Sequence, residues 1–124
     1  MDNGQLIIGK ENVLKSKSYS FALEIVKVCR ELQSNKEFIL SKQLLRSGTA
    51  IGALVEEANQ GESKADFIHK LSIANKEANE TQYWIRLLID SNILSKETGE
   101  PLLQKSVELI KILTASIKTS KAKR

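Results

Sequence analysis

The residues best suited to chemistry are few. Glu77 and Glu80 lie one helical turn apart, the spacing at which two carboxylates could share acid–base work. Lys70 and Lys76 stand beside them in sequence and Arg46 can reach them from another helix, so the cluster reads as structural ion pairs. Glu56 and Glu57 read the same way. His69 is the single histidine, three residues after Asp66 and turned away from the apolar stripe of its helix. One imidazole and one carboxylate complete neither a closed metal site nor a catalytic triad, which leaves a solvated or interface histidine. Cys29 is the single cysteine, so no internal disulfide exists. It reads as a small buried hydrophobe rather than a nucleophile. No Glu-x-x-His pair is present, which argues against a di-iron bundle. No catalytic residue, cofactor or metal is expected.

A second candidate is the pair Gly48 and Gly52 within LLRSGTAIGALVEEANQG, Leu44 to Gly61. Each glycine inside a helix costs about 1 kcal/mol relative to alanine. A phosphate loop would need a preceding strand, and none is expected here. A membrane dimer motif would need an apolar span, but Arg46, Glu56 and Glu57 lie too close. The remaining use is close approach of another helix or a large ring, with Tyr83 and Trp84 as candidate rings.

Those residues need helices to position them. Three turn signals divide the chain: Ser34-Asn35-Lys36-Glu37 as a capping box, Gly61-Glu62-Ser63 with Gly61 in the left-handed conformation, and Asn92 to Pro101. Four helices are expected at about 11–33, 37–59, 63–91 and 100–118, with residues 1–10 as an N-terminal tail and 119–124 as a basic C-terminal tail. Phe67, Leu71, Ala74, Ala78, Thr81, Ile85 and Leu88 alternate spacings of four and three in the third helix. Leu103, Ser106, Ile110, Leu113 and Ile117 do so in the fourth. Such seams and short connections predict an all-α, antiparallel up-down-up-down four-helix bundle over residues 11–118.

A monomeric bundle needs one apolar stripe per helix, and the first helix has two. Leu14, Phe21, Ile25, Val28 and Leu32 form one; Tyr19, Leu23 and Val26 form another on a different side. Ile73, Glu77, Glu80 and Trp84 share a shoulder of the third helix. A second apolar face predicts an oligomer. Tyr19, Leu23, Val26, Gly48, Gly52, Ile73, Tyr83 and Trp84 are therefore candidates for helix packing or the oligomer interface.

Composition bounds the rest. The chain has 124 residues, 41% of them hydrophobic, with one proline, which suits one folded domain. No apolar run approaches the roughly 18 residues of a membrane span. Leu6-Ile7-Ile8 is too short for a signal-peptide core, so the chain reads as soluble and cytoplasmic, with no membrane partner. The net charge is +4, and Lys118, Lys121, Lys123 and Arg124 account for it. Such an end can bind RNA, DNA or an acidic partner, or simply be solvated. Lys10 to Arg30 is also basic through Lys10, Lys15, Lys17, Lys27 and Arg30, whereas Glu56 to Asp66 is acidic.

QLLRSGTAIGALVEEA followed by DFIHKLSIANKEANETQYWIRLL resembles the four-helix bundle proteins first described as products of intervening sequences in large-subunit ribosomal RNA genes. The resemblance runs from about Tyr19 to Leu94. It rests on Gln43-Leu44, Arg46-Ser47, Ile51, Glu57, Asp66-Phe67, Leu71, Ile73-Ala74, Glu77, Glu80 and Tyr83-Trp84 in this order and spacing. It implies an antiparallel bundle assembled as a homopentamer around a central channel, with no catalytic activity. Related accessory proteins of diversity-generating retroelements resemble basic barrels that bind nucleic acid and a reverse transcriptase. Leu54, Ala50 and Ala58 depart from the family's usual asparagine, serine and glycine, and the body of this chain is less basic than the retroelement proteins.

The expected function is a non-enzymatic oligomeric scaffold that binds RNA or DNA through its basic surfaces. The alternative is a protein-interaction or accessory module without nucleic-acid binding.

Overall fold

The computed structural model describes the backbone of residues 3–123 and the side chains of residues 13–123. Four helices make up the fold: α1 (Asn3–Ser34), α2 (Ile39–Asn59), α3 (Lys64–Asp90) and α4 (Lys96–Ala122). No strand occurs among the described residues. Each helix packs on its sequence neighbours and α4 returns to α1, which it meets least closely; the backbones of α1 and α3 stay apart, as do those of α2 and α4. The fold is all-α and compatible with a four-helix bundle.

The core follows from helical periodicity. Leu14, Phe21, Ile25, Val28 and Leu32 of α1 are buried, and so is every member of the α3 seam except the half-buried Phe67. Each large side chain so buried contributes about 1.5–3 kcal/mol. On α2 the buried positions are Ser41, Leu44, Ser47, Gly48, Ile51, Gly52, Val55 and Ala58. The α4 seam differs from expectation. Leu102, Ser106, Leu109 and Leu113 are buried, while Leu103, Ile110 and Ile117 are half-buried. Both registers satisfy the three-four spacing, and the rotation of α4 against α3 selects between them. The buried hydroxyls are paired: Thr81 Oγ1 donates to the Glu77 carbonyl at 2.8 Å and lies 2.9 Å from Ser47 Oγ.

The helix ends correct several expectations. Ser34 does not cap α2; it remains inside α1, where its hydroxyl donates to the Glu31 carbonyl at 2.8 Å. Lys36 then takes the left-handed conformation at φ 67°. The amides of Lys36 and Glu37 close the helix on the carbonyls of Gln33 and Leu32, the Schellman pattern. The Glu37 carboxylate accepts from the Leu40 amide at 3.1 Å and takes over the capping of α2. Asn92 ends α3 in the same way at φ 62°.

Gly61 has no positive φ. Its constraint is space, because a Cβ there would sit 2.7 Å from Asp66 Oδ2 and 3.1 Å from the Ala58 carbonyl. Ser63 does cap α3, accepting from the Asp66 amide at 3.1 Å.

The third turn is shorter than expected. Ser95 caps α4 by accepting from Thr98, so the helix starts at Lys96 and Pro101 lies inside it. That proline forfeits one backbone bond near the helix start. Gly99 lets this first turn lie against α3: a Cβ there would lie 2.5 Å from Ile89 Cγ1.

The two expected tails are largely helical. Helix α1 begins at Asn3, within the expected 1–10 tail, and α4 runs to Ala122, within the expected 119–124 tail. No proline interrupts either stretch.

Candidate interaction surface

The acidic clusters are bound into ion pairs between helices. Arg46 of α2 reaches Glu77 Oε1 at 3.2 Å and also contacts the Glu80 carboxylate, both on α3. Further along α2, Glu57 meets Lys70 at 3.2 Å. Lys15 and Glu56 are 3.8 Å apart across α1 and α2. These side chains are partly exposed, so each pair is worth about 0–1 kcal/mol. His69 is exposed and Asp66 half-buried. No group of three His, Cys, Asp or Glu among the described residues could hold a metal ion. The Cys29 thiol is buried, lies 3.4 Å from the Ser41 carbonyl, and has its pKa pushed up to about 11 by burial. A thiol so protonated is a poor nucleophile.

Gly48 and Gly52 are contact points, but not for Tyr83 or Trp84. A Cβ on Gly48 would come within 2.8 Å of Ile25 Cγ1, and one on Gly52 within 3.3 Å of the Ser18 carbonyl oxygen. Both glycines admit α1. The misassigned partner has a simple reason: α2 packs on α1 as well as α3, and helical spacing alone does not say which neighbour a given side faces.

The basic candidates divide into two sets. Lys15 is engaged with Glu56, and Lys17 donates to Glu108 at 3.2 Å. Lys27, Arg30, Lys118, Lys121 and Lys123 are exposed and belong to no ion pair among the described residues. The side chain of Lys10 and all of Arg124 lie outside the described residues.

The second stripe of α1 lies on the surface. Tyr19 is 59% exposed, Leu23 56% and Val26 39%. On α3, Tyr83 is 49% exposed and meets Trp84 edge to face, with centroids 5.2 Å apart; Ile73 and Trp84 are half-buried. Trp84 Nε1 has no hydrogen-bond partner among the described residues. Sequence reasoning missed Phe38 and Ile39, 60% and 78% exposed at the entry to α2. The apolar run Phe38-Ile39-Leu40 was the available signal, since three successive apolar residues cannot all face one core. No described helix is long and apolar enough to cross a membrane.

The comparisons agree with this architecture. The chain matches the model of the 23S rRNA-intervening sequence protein family over residues 10–115. It is also similar to a crystal structure from Bacteroides thetaiotaomicron, a protein of unknown function from the S23 ribosomal protein family. The two share 51% identity over 88% of this chain and 98% of that one, with a TM-score of 0.85. No curated protein matches the chain. The match over most of the length shows that the chain belongs to the 23S rRNA-intervening sequence protein family.

Proposed function

We propose that this chain is a non-enzymatic scaffold that assembles with copies of itself and holds nucleic acid by phosphate contacts at the basic end of α4. Its helices would alternate in direction, up-down-up-down. The order of the ion pairs supports this, since Arg46 meets Glu77 and Glu80 while the later Glu57 meets the earlier Lys70. The observation that carries the reading is the exposure of Tyr19, Leu23 and Val26 on one face of α1, a surface that gains from burial against another molecule. The family resemblance makes five the expected number of copies.

Assembly would multiply a weak contact. Each copy brings Lys118, Lys121 and Lys123, and repeated weak contacts combine through effective concentration. Such contacts read the phosphate backbone rather than base sequence. The family description mentions 23S rRNA, so RNA is the first nucleic acid to test. Light scattering at micromolar concentration should give several times the mass of one chain; a monomer mass would remove the assembly reading. Fluorescence anisotropy with mixed-sequence RNA and DNA should show binding that falls steeply with salt, by about 0.9 in log–log slope for each phosphate contact on B-DNA. Deleting residues 118–124 should flatten that slope. An unchanged slope would move the contact to Lys27 and Arg30.

A protein-interaction module is the second reading. Phe38 and Ile39, exposed at the α1–α2 turn, favour it, and full-length protein that binds no nucleic acid at low salt would select it.

A further inference from the structure

We infer that a nucleic-acid strand lies lengthwise along the outer side of α4, from Lys111 to the C-terminal lysines, beside an edge of α3 that supplies uncharged hydrogen-bonding groups. This rests on the reading that the chain binds nucleic acid. It extends the contact along the helix and adds Lys111, Thr114 and Asn79 to it.

The first argument is register. Leu102, Ser106, Leu109 and Leu113 mark the core side of α4. Lys111 and Lys118 are seven residues apart, nearly two full turns, so they project from one side. That side is opposite the core series, and both lysines are exposed. Ala115 stands between them on the same ridge, with exposed Thr114 beside it. These short side chains leave a low saddle between two cations. From Lys111 to Lys121 the helix rises about 15 Å, enough to follow several phosphates of one strand.

The second argument is charge. Glu108 is the last acid of the chain, and Lys17 of α1 holds it at 3.2 Å. Beyond it α4 carries only cations, and Lys111, Lys118 and Lys121 belong to no ion pair among the described residues. Helix α3 keeps its central acids on another side, where Arg46 of α2 holds Glu77 and Glu80. Its edge towards α4 is marked by Asn75, whose Nδ2 lies 3.5 Å from Thr114 Oγ1. Ser72, Asn79 and Gln82 share that edge at three-four spacing, and none is charged. Lysines flanked by amides and hydroxyls, without a carboxylate or an aromatic row among them, suit a phosphate and sugar backbone rather than stacked bases.

The test compares two full-length variants that lose the same charge from the same helix, Lys111→Gln and Lys96→Gln. Both lysines are exposed and in no ion pair among the described residues, and Lys96 begins α4. Each variant is first checked for parental helical circular dichroism. Fluorescence anisotropy with mixed-sequence RNA and DNA is then measured at two salt concentrations. Lys111→Gln should weaken binding to every sequence alike and lower the log–log salt slope by one phosphate contact, about 0.7 on single strands and 0.9 on duplex DNA. Lys96→Gln should leave the slope unchanged. Lys111→Arg keeps the charge and should bind as the parent does; a loss equal to that of Lys111→Gln would mean a structural role and overturn the inference. Asn79→Asp places a carboxylate on the α3 edge and should also weaken binding. If the parent binds but Lys111→Gln and Lys96→Gln behave alike, only net charge matters along α4 and the inference fails, though nucleic-acid binding stands. A parent that binds neither RNA nor DNA removes both readings. Polyglutamate that displaces RNA as well as unlabelled RNA does would assign the face to an acidic protein and overturn the inference.

Discussion

Along α2, helix α1 comes so close that Ile25 and the Ser18 backbone occupy the space where Gly48 and Gly52 would carry side chains. Along α4 it stands further off, and the gap is edged by charges. Lys17 meets Glu108 at 3.2 Å and Lys105 meets Glu24 at 2.6 Å, over a groove of about 120 Å³ floored by Phe21 and Leu109. The α2 seam is closed by atoms that fill the space beside two glycines; the α4 seam is open enough for long charged side chains to span it. The difference shows where the fold stores its specificity. Interlocked backbones admit one arrangement, whereas long charged side chains adjust to several. It also leaves the outer side of α1 free for other work, because its core contacts are concentrated on the α2 side.

The largest expected effect breaks the close seam between α1 and α2. Gly52→Leu should destabilise the fold by about 3 kcal/mol, near the top of the usual overpacking range, because the Ser18 backbone cannot rotate away as a side chain could. Denaturant unfolding measures it. A variant as stable as the parent would mean that helix propensity outweighs the contact.

The next effect sharpens the comparison through Cys29, which lies at the same seam beside Ser41. Burial raises its pKa from 9.0 to about 11, so the unfolded chain loses the thiol proton first. Stability from this group is present in full below pH 9.0 and is lost as pH rises towards about 11. The stability difference between parent and Cys29→Ala should therefore shrink across that window, by up to about 2 kcal/mol. A constant difference would mean that the thiol is already hydrated.

The smallest effect belongs to the open seam between α1 and α4. Lys105→Ala removes the contact with Glu24, yet both side chains are partly exposed, at 50% and 39%. Its cost should stay below about 1 kcal/mol and diminish with added salt. A loss comparable to that of Gly52→Leu would erase the distinction between the two seams.

Much of the fold was legible because apolar spacing records it. The α1 and α3 core stripes could be read residue by residue, since on each helix the longer apolar series at three-four spacing is the one that is buried. On α4 two registers were available, and only the packing of α4 on its neighbours buries Leu102 and Leu109 rather than Leu103 and Ile110. The turns were less legible. Ser34 and Glu37 suit a capping box, but Lys36 and Asn92 adopted left-handed conformations that local sequence does not oblige them to take. Of the candidate surface, Tyr19, Leu23 and Val26 could be identified because they repeat at helical spacing away from the core stripe. Phe38 and Ile39 at the entry to α2 were missed although their run with Leu40 is legible, because helical spacing alone does not say which of three successive apolar residues stays outside.

By itself the sequence determined four helices, the apolar seams of α1 and α3, the single buried thiol and the excess of positive charge at the C-terminal end. Each is a local property of residue type and spacing, independent of what the helix later meets. Only the tertiary structure decided which neighbour fills the space beside Gly48 and Gly52, which cations are held by carboxylates, and that the backbones of α1 and α3 lie apart. Those facts depend on distances between segments far apart in the chain. Helical periodicity specifies the side from which a residue projects, but not what stands opposite it.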